Sequence, residues 1–396
     1  MAPFRIRPAT AWTAIILSTL QPAYGSNEAV LYSFKGGADG SYPEATLLPA
    51  NGVLYGTTSA GGTYGLGTVF KITTGGTETV IHSFGGGADG SDPVSSLVNL
   101  DGILYGTTVS GGKYGYGTVY SVNASGSVTI LHSFGGSSDG QTPESDLTVV
   151  GSLIYGTTEY GGYFSGGVVY RIDARGKEKV VHAFGNPSET DGINPLGGVV
   201  KIAHNFYGTT FGGGTYGAGT VYAFDPNGGE LVLHSFNVNN DGISNPISSL
   251  VELKGELYGA TNIGGVSGCG GVFESSFSGQ VKIPFIPGGS NYLCAPVGAF
   301  AAAKGRLYGL TKYGGDGSGN NCATSSSVRC GAAYYLTTDG GENALHTFGQ
   351  GSDGSYPKAG LTYYDNKLYG TTSAGGKYGY GAVFRLGTKI GFTPDR

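Results

Sequence analysis

Apolar residues occur along this chain in runs of five or six, broken at close intervals by glycine-bearing turns. The stretch from Ser96 shows the pattern: SLVNL, the turn Asp101-Gly102, ILYGTT, the loop VSGGKYGYG, TVYSV, and then SVTILHSF. Each run suits a strand and is too short for a stable helix. Asp-Gly between two apolar runs predicts a tight hairpin, because its glycine takes the positive φ that such turns need. The unit therefore reads as four short antiparallel strands, a to d.

The unit recurs. Tyr-Gly-Thr-Thr begins at Tyr55, Tyr105, Tyr155, Tyr207 and Tyr369, and Tyr258-Gly259-Ala260-Thr261 and Tyr308-Gly309-Leu310-Thr311 are variants in the same register. Successive spacings are 50, 50, 52, 51, 50 and 61 residues. Four strands at this period make a propeller blade, whose faces are buried against its neighbours, so the expectation is all-β with seven four-stranded blades. The ends are complementary. Ala29 to Phe34 matches strand d with no a to c before it, while the last copy has strand a near Leu361, b at Leu368 to Thr372 and c at Ala382 to Leu386, but no d. The N-terminal strand is expected to complete the last blade and close the ring; an open solenoid would not need such ends and would leave edges exposed.

Composition agrees. Of 396 residues, 77 are glycine and only 12% are charged, which fits frequent turns, while 39% hydrophobic residues spread along the chain suffice for a core. The first 25 residues stand apart: Arg5 and Arg7 precede the apolar run Ala11 to Leu20, followed by Ala23-Tyr24-Gly25. This reads as a secretory signal, residues 1–25, ahead of a single propeller domain, residues 26–396. No later segment is long and apolar enough to span a bilayer. Cleavage would remove two arginines and no acid, leaving 20 basic residues against 27 acidic and a formal charge of −7. Nucleic acid is therefore not an expected partner. The expected product is a secreted monomer, extracellular or periplasmic.

Segments such as YGTTVSGGKYGYGTVYSV resemble the tandem repeat of bacterial extracellular GloVer proteins, and the HSF or HAF segments resemble the related HAF repeats. The resemblance runs over residues 29 to 386 and implies an extracellular or surface-attached bacterial protein with no defined reaction. Such proteins often carry a C-terminal anchoring signal, whereas this chain ends in GTKIGFTPDR without an apolar tail. The strand layout also resembles kelch propellers, without the strand d Trp typical of kelch.

In such a blade the b–c and d–a loops emerge on one face. That face should carry Tyr64, Tyr114, Tyr116, Tyr163, Tyr216, Tyr313, Tyr378 and Tyr380 from b–c loops, and Asp39, Asp89, Asp139, Asp191, Asp241 and Asp353 from d–a loops. Rings and carboxylates around a central depression suit a polyhydroxylated ligand, since a ring covers an apolar sugar face and an acid accepts hydroxyl hydrogen bonds. Two other readings stand beside this one: the aspartates fix their turns through backbone amides, and the tyrosines pack between blades. Calcium would need six to eight oxygens where each loop offers one carboxylate, so no metal and no cofactor is expected. His82, His132, His182, His234 and His346 recur at one place in strand d of five blades and are expected to be structural, and His204 falls in an a–b turn on the opposite face.

The nonrepeated residues are the candidates for specific chemistry. Glu44, Asp92, Glu144 and Lys358 lie in or just after d–a loops, and Lys113, Lys312 and Lys377 lie in b–c loops. All four cysteines fall in blades five and six, and export favours the pairs Cys269–Cys294 and Cys322–Cys330. The expected function is binding of a glycan or other extracellular polymer. A polysaccharide-cleaving lyase or hydrolase on the same face is the alternative, with catalytic residues unknown, and a purely structural secreted protein is a third reading.

Overall fold

The computed structural model describes residues 28–387 apart from 124, 188–189, 228, 266–267, 287–292, 316–329 and 339. The signal region and Cys322 lie outside the described residues. Seven antiparallel sheets follow one another with strands in the order a-b-c-d. In blade 2 these are Val98–Leu100, Ile103–Thr108, Thr118–Val122 and Val128–Ser133. The ring closes as expected: Ala29–Ser33 pairs antiparallel with Ala382–Gly387, placing Ser33 opposite Ala382 and supplying strand d of blade 7. Blade 5 adds a short strand, Ile243–Pro246, beside an extended strand b, Glu256–Gly264.

The core is divided among the blade interfaces. Seven buried clusters are present, each built from two neighbouring blades. At the centre of each lies an aromatic pair. The Phe that ends strand d of one blade meets the aromatic residue of strand c in the next: Phe34 with Phe70, Phe84 with Tyr120, Phe134 with Tyr170, Phe184 with Tyr222, Phe236 with Phe273 and Phe348 with Phe384, with ring centroids 4.9–5.1 Å apart. At the remaining interface Phe285 meets Tyr334 at 5.8 Å. Offset and edge-on rings at these distances gain from the ring quadrupoles as well as from burial.

The repeat motif follows from these contacts. The glycine of Tyr-Gly-Thr-Thr makes room for the strand c ring, since a Cβ on Gly106 would lie 2.5 Å from the Tyr120 hydroxyl. The first threonine donates its hydroxyl to the next blade: Thr107 to the Pro143 carbonyl at 2.8 Å, Thr209 to Ser248 at 3.2 Å and Thr371 to Ala45 at 3.4 Å. Ala260 and Leu310 replace this threonine in blades 5 and 6. There the disulfide Cys269–Cys294 ties the b–c loop of blade 5 to the first residue of strand a of blade 6, confirming the first expected pair.

Two stability predictions follow. Phe134→Ala should lower unfolding free energy by about 3–5 kcal/mol in denaturant titration, whereas Thr107→Val should cost only about 1 kcal/mol. Replacing Cys269 and Cys294 together with serine should cost roughly 2–4 kcal/mol, read as a lowered thermal midpoint.

Candidate functional site

Each inner strand is entered through an X-Pro step. Tyr42, Asp92, Thr142, Asn194, Asn245, Ala295 and Tyr356 precede the prolines, and all have φ between 53° and 61°. A residue before proline is disfavoured in helical conformations and a side chain is disfavoured at positive φ, so each is strained by about 1–3 kcal/mol. Hydrogen bonds hold them there. Every one donates its N–H to the preceding blade's b–c loop or the residue that ends it, as in Thr142 to the Tyr116 carbonyl at 3.0 Å and Ala295 to Cys269 at 3.0 Å. In six of the seven blades this step brings the residue after the proline to the axis, whereas Val297 packs into the core between blades 6 and 7.

Those residues are Glu44, Val94, Glu144, Leu196, Ile247, Val297 and Lys358, one per blade. Six of them, all but Val297, line the mouth of an axial funnel together with Asp92 and Val109, a space of about 360 Å³. Its composition is lopsided: acids and Lys358 come from blades 7, 1, 2 and 3, and leucine and isoleucine from blades 4 and 5. Lys358 donates to Glu44 at 2.6 Å. Glu144 is open to solvent at the mouth yet crowded on its other sides. Burial, followed by the carboxylates of Glu159, Asp92 and Glu44, pushes it up to about 7 despite Lys358. Asp92 is also raised, first by burial and then by Glu44.

Below the mouth the axis narrows to a space of about 130 Å³ walled by hydrogen bonds between blades. The Gly360 amide donates to Thr46 Oγ1 at 2.8 Å, Thr46 N–H to Ser96 Oγ at 3.0 Å and Ser96 N–H to Asp146 Oδ1 at 3.3 Å. Ser249 of blade 5 donates across to Asp146 Oδ2 of blade 3 at 3.1 Å, skipping blade 4, where Gly198 leaves room. The funnel is a depression with a polar floor.

The aspartates expected on this face are occupied locally. Asp89, Asp139, Asp241 and Asp353 each bond the strand d histidine of their blade at 2.9–3.1 Å. Asp191 lies 3.5 Å from His182, and Asp39 accepts from the Tyr32 hydroxyl at 2.5 Å. Each also receives the backbone amide that follows strand d, for example Gly135 to Asp139 at 2.9 Å. The histidines are thus turn clasps at the rim. His182, Asp191 and Glu230 bring one ligand atom each within 4.8 Å, but Asp191 already accepts the amides of Gly185, Asn186 and Gly192. His204 lies exposed in the a–b turn of blade 4, as expected.

The tyrosines behave differently. Tyr64, Tyr114, Tyr116, Tyr163, Tyr216, Tyr378 and Tyr380 are 39–81% exposed and belong to blades 7, 1, 2, 3 and 4. Tyr313 of blade 6 is half-buried against Tyr356. Lys113, Lys312 and Lys377 lie over the rings of Tyr114, Tyr313 and Tyr378 at 4.9–5.3 Å, and none of the three lines the funnel mouth. The apolar arc of the mouth is the part that motif reading missed, although the residue after each proline marks it.

The family model of the Gloeobacter/Verrucomicrobia repeat matches residues 16–201 and 154–384. No curated protein matches the chain. Among solved structures, a candidate 6-phosphogluconolactonase from Bacteroides uniformis shares 14% identity at a TM-score of 0.48, over 77% of this chain and 84% of its own. A gluconolactonase from Xanthomonas campestris shares 13% at 0.41, over 91% and 89%. At these levels neither informs the chemistry of this chain. Among the described residues no helix is long and apolar enough to cross a membrane.

The raised Glu144 fixes a sign. In the folded state it holds its proton up to about 7, against 4.5 ordinarily, so its contribution to stability falls as pH rises between those values. Glu144→Gln should therefore flatten the decline in thermal midpoint between about pH 5 and pH 8 and leave the acid side unchanged.

Proposed function

We propose that this chain, which belongs to the Gloeobacter/Verrucomicrobia repeat family, is an exported binding propeller for a glycan or other extracellular polymer, recognised on the face where the tyrosines and the funnel open. The observation that carries this reading is the arc of seven exposed tyrosines over five consecutive blades. Exposed aromatic rings concentrated on one face mark an interaction surface, and rings suit the apolar faces of sugars. The disulfide of blades 5 and 6 supports export, because such bonds persist in oxidising compartments. The one cation of the mouth, Lys358, is already bonded to Glu44, which disfavours an acidic polymer there.

A second reading rests on Glu144. A carboxyl group that keeps its proton to about 7 suits general acid catalysis, and the neighbouring carboxylates Glu44 and Asp92 stand at the same mouth. This favours a polysaccharide-cleaving enzyme.

One experiment separates the two. The protein is incubated with neutral and acidic polysaccharides, and both retention and the appearance of new reducing or unsaturated ends are followed. Binding predicts retention without new ends, weakened about tenfold when Tyr116 and Tyr380 are replaced by alanine. New ends that disappear in Glu144→Gln would establish the enzyme instead.

A further inference from the structure

The d–a loop of blade 4 departs from its counterparts. After the strand d Phe the repeat runs Gly85-Gly86-Gly87-Ala88 in blade 1 and Gly135-Gly136-Ser137-Ser138 in blade 2, but Asn237-Val238-Asn239-Asn240 in blade 4. These residues form a short turn of helix, Val238–Asp241, capped by the Asn237 side chain. The amide-bearing loop borders a cavity of about 410 Å³ at the outer edge of the tyrosine face.

Its walls offer a defined chemistry. Tyr216, 58% exposed, stands on one side. Asn240 lies on another, with a side-chain amide that makes no hydrogen bond among the described residues. Thr190 and Thr215 add hydroxyls. Asp241 is held by His234 at 3.1 Å and by the Asn237 amide at 2.8 Å, both through Oδ2, so Oδ1 is left as an acceptor. No lysine or arginine lines the space.

We infer that this cavity is a subsite for a single uncharged pyranose residue of the polymer, with Tyr216 as the stacking surface and Asn240 and Asp241 as hydroxyl partners. The inference rests on the binding reading above and deepens it. An aromatic plane covers the C–H face of a pyranose, while an amide and a fixed carboxylate oxygen take adjacent hydroxyls. A carboxylate acceptor whose only basic neighbour in the lining is the His234 imidazole it already bonds, with no lysine or arginine there, disfavours a uronate or a sulfated sugar, because the two anions would repel and both would lose water.

The test is isothermal titration of the full mature chain with neutral oligosaccharides of gluco-, manno- and galacto-configuration, and with oligogalacturonate. The subsite predicts that at least one neutral series binds, that oligogalacturonate does not, and that Tyr216→Ala and Asn240→Ala each weaken binding by about tenfold with thermal midpoints unchanged. Neutral sugars that bind Tyr216→Ala as well as the parent, while Tyr116→Ala and Tyr380→Ala lose them, would overturn the subsite and leave the binding reading standing. Equal or tighter binding of oligogalacturonate would overturn the uncharged class. Failure of every saccharide to bind would overturn both.

Discussion

A blade has no interior of its own. Its strands are buried only when a neighbour lies against each face, and the contact that joins neighbours is one ring against another, the strand d phenylalanine against the strand c aromatic of the next blade. The two residues of a pair lie 36–38 apart in sequence in six interfaces and 49 apart in the seventh, so each interface forms from chain that is nearly local. Glycine in strand b, threonine beside it and the histidine–aspartate clasp over the loop all position this pair. Once the rings are placed, seven similar solutions meet around an axis, and the strained X-Pro steps bring the chain to the mouth of its funnel.

The repeat therefore separates two duties. Positions that recur hold blades together, and positions that do not recur are free to vary. The residue after each proline is such a position, and six of the seven surround one opening, with carboxylates and a lysine on one arc and leucine and isoleucine on another. A ligand that met a symmetric ring would have seven equivalent ways to sit. Here it has one, because charge and apolar surface are not interchangeable around the axis. The amide-bearing loop of blade 4 is a departure of the same kind, placed at the rim.

Architecture was legible because the contacts between blades recur around the ring, so Tyr-Gly-Thr-Thr and the strand d phenylalanine appear as periodic signals, and the incomplete first and last units show where the ring closes. The site was less legible, for a physical reason. Asp39, Asp89, Asp139, Asp191, Asp241 and Asp353 look like ligand groups by chemistry and position, yet at least one oxygen of each is taken by a loop amide, and each lies against a ring that comes seven or nine residues earlier in the chain. The spacing from His82 to Asp89, repeated from His132 to Asp139 and from His346 to Asp353, carried that information. Glu144 was visible as a nonrepeated acid, but its elevated proton affinity arises first from burial and then from Glu159, Asp92 and Glu44, all of which only folding supplies.

The pairing of Ala29–Ser33 with Ala382–Gly387 has a temporal meaning. The segment that leaves the ribosome early must wait for almost the whole chain before its edge is satisfied. Until then the growing protein is an arc with two open sheet edges, and the closing step costs the entropy of joining its distant ends. A polypeptide built in this way cannot complete its fold while its closing strand remains inside the machinery that makes or threads it. The same latch makes these two strands mutually dependent, so loss of either one opens the same seam.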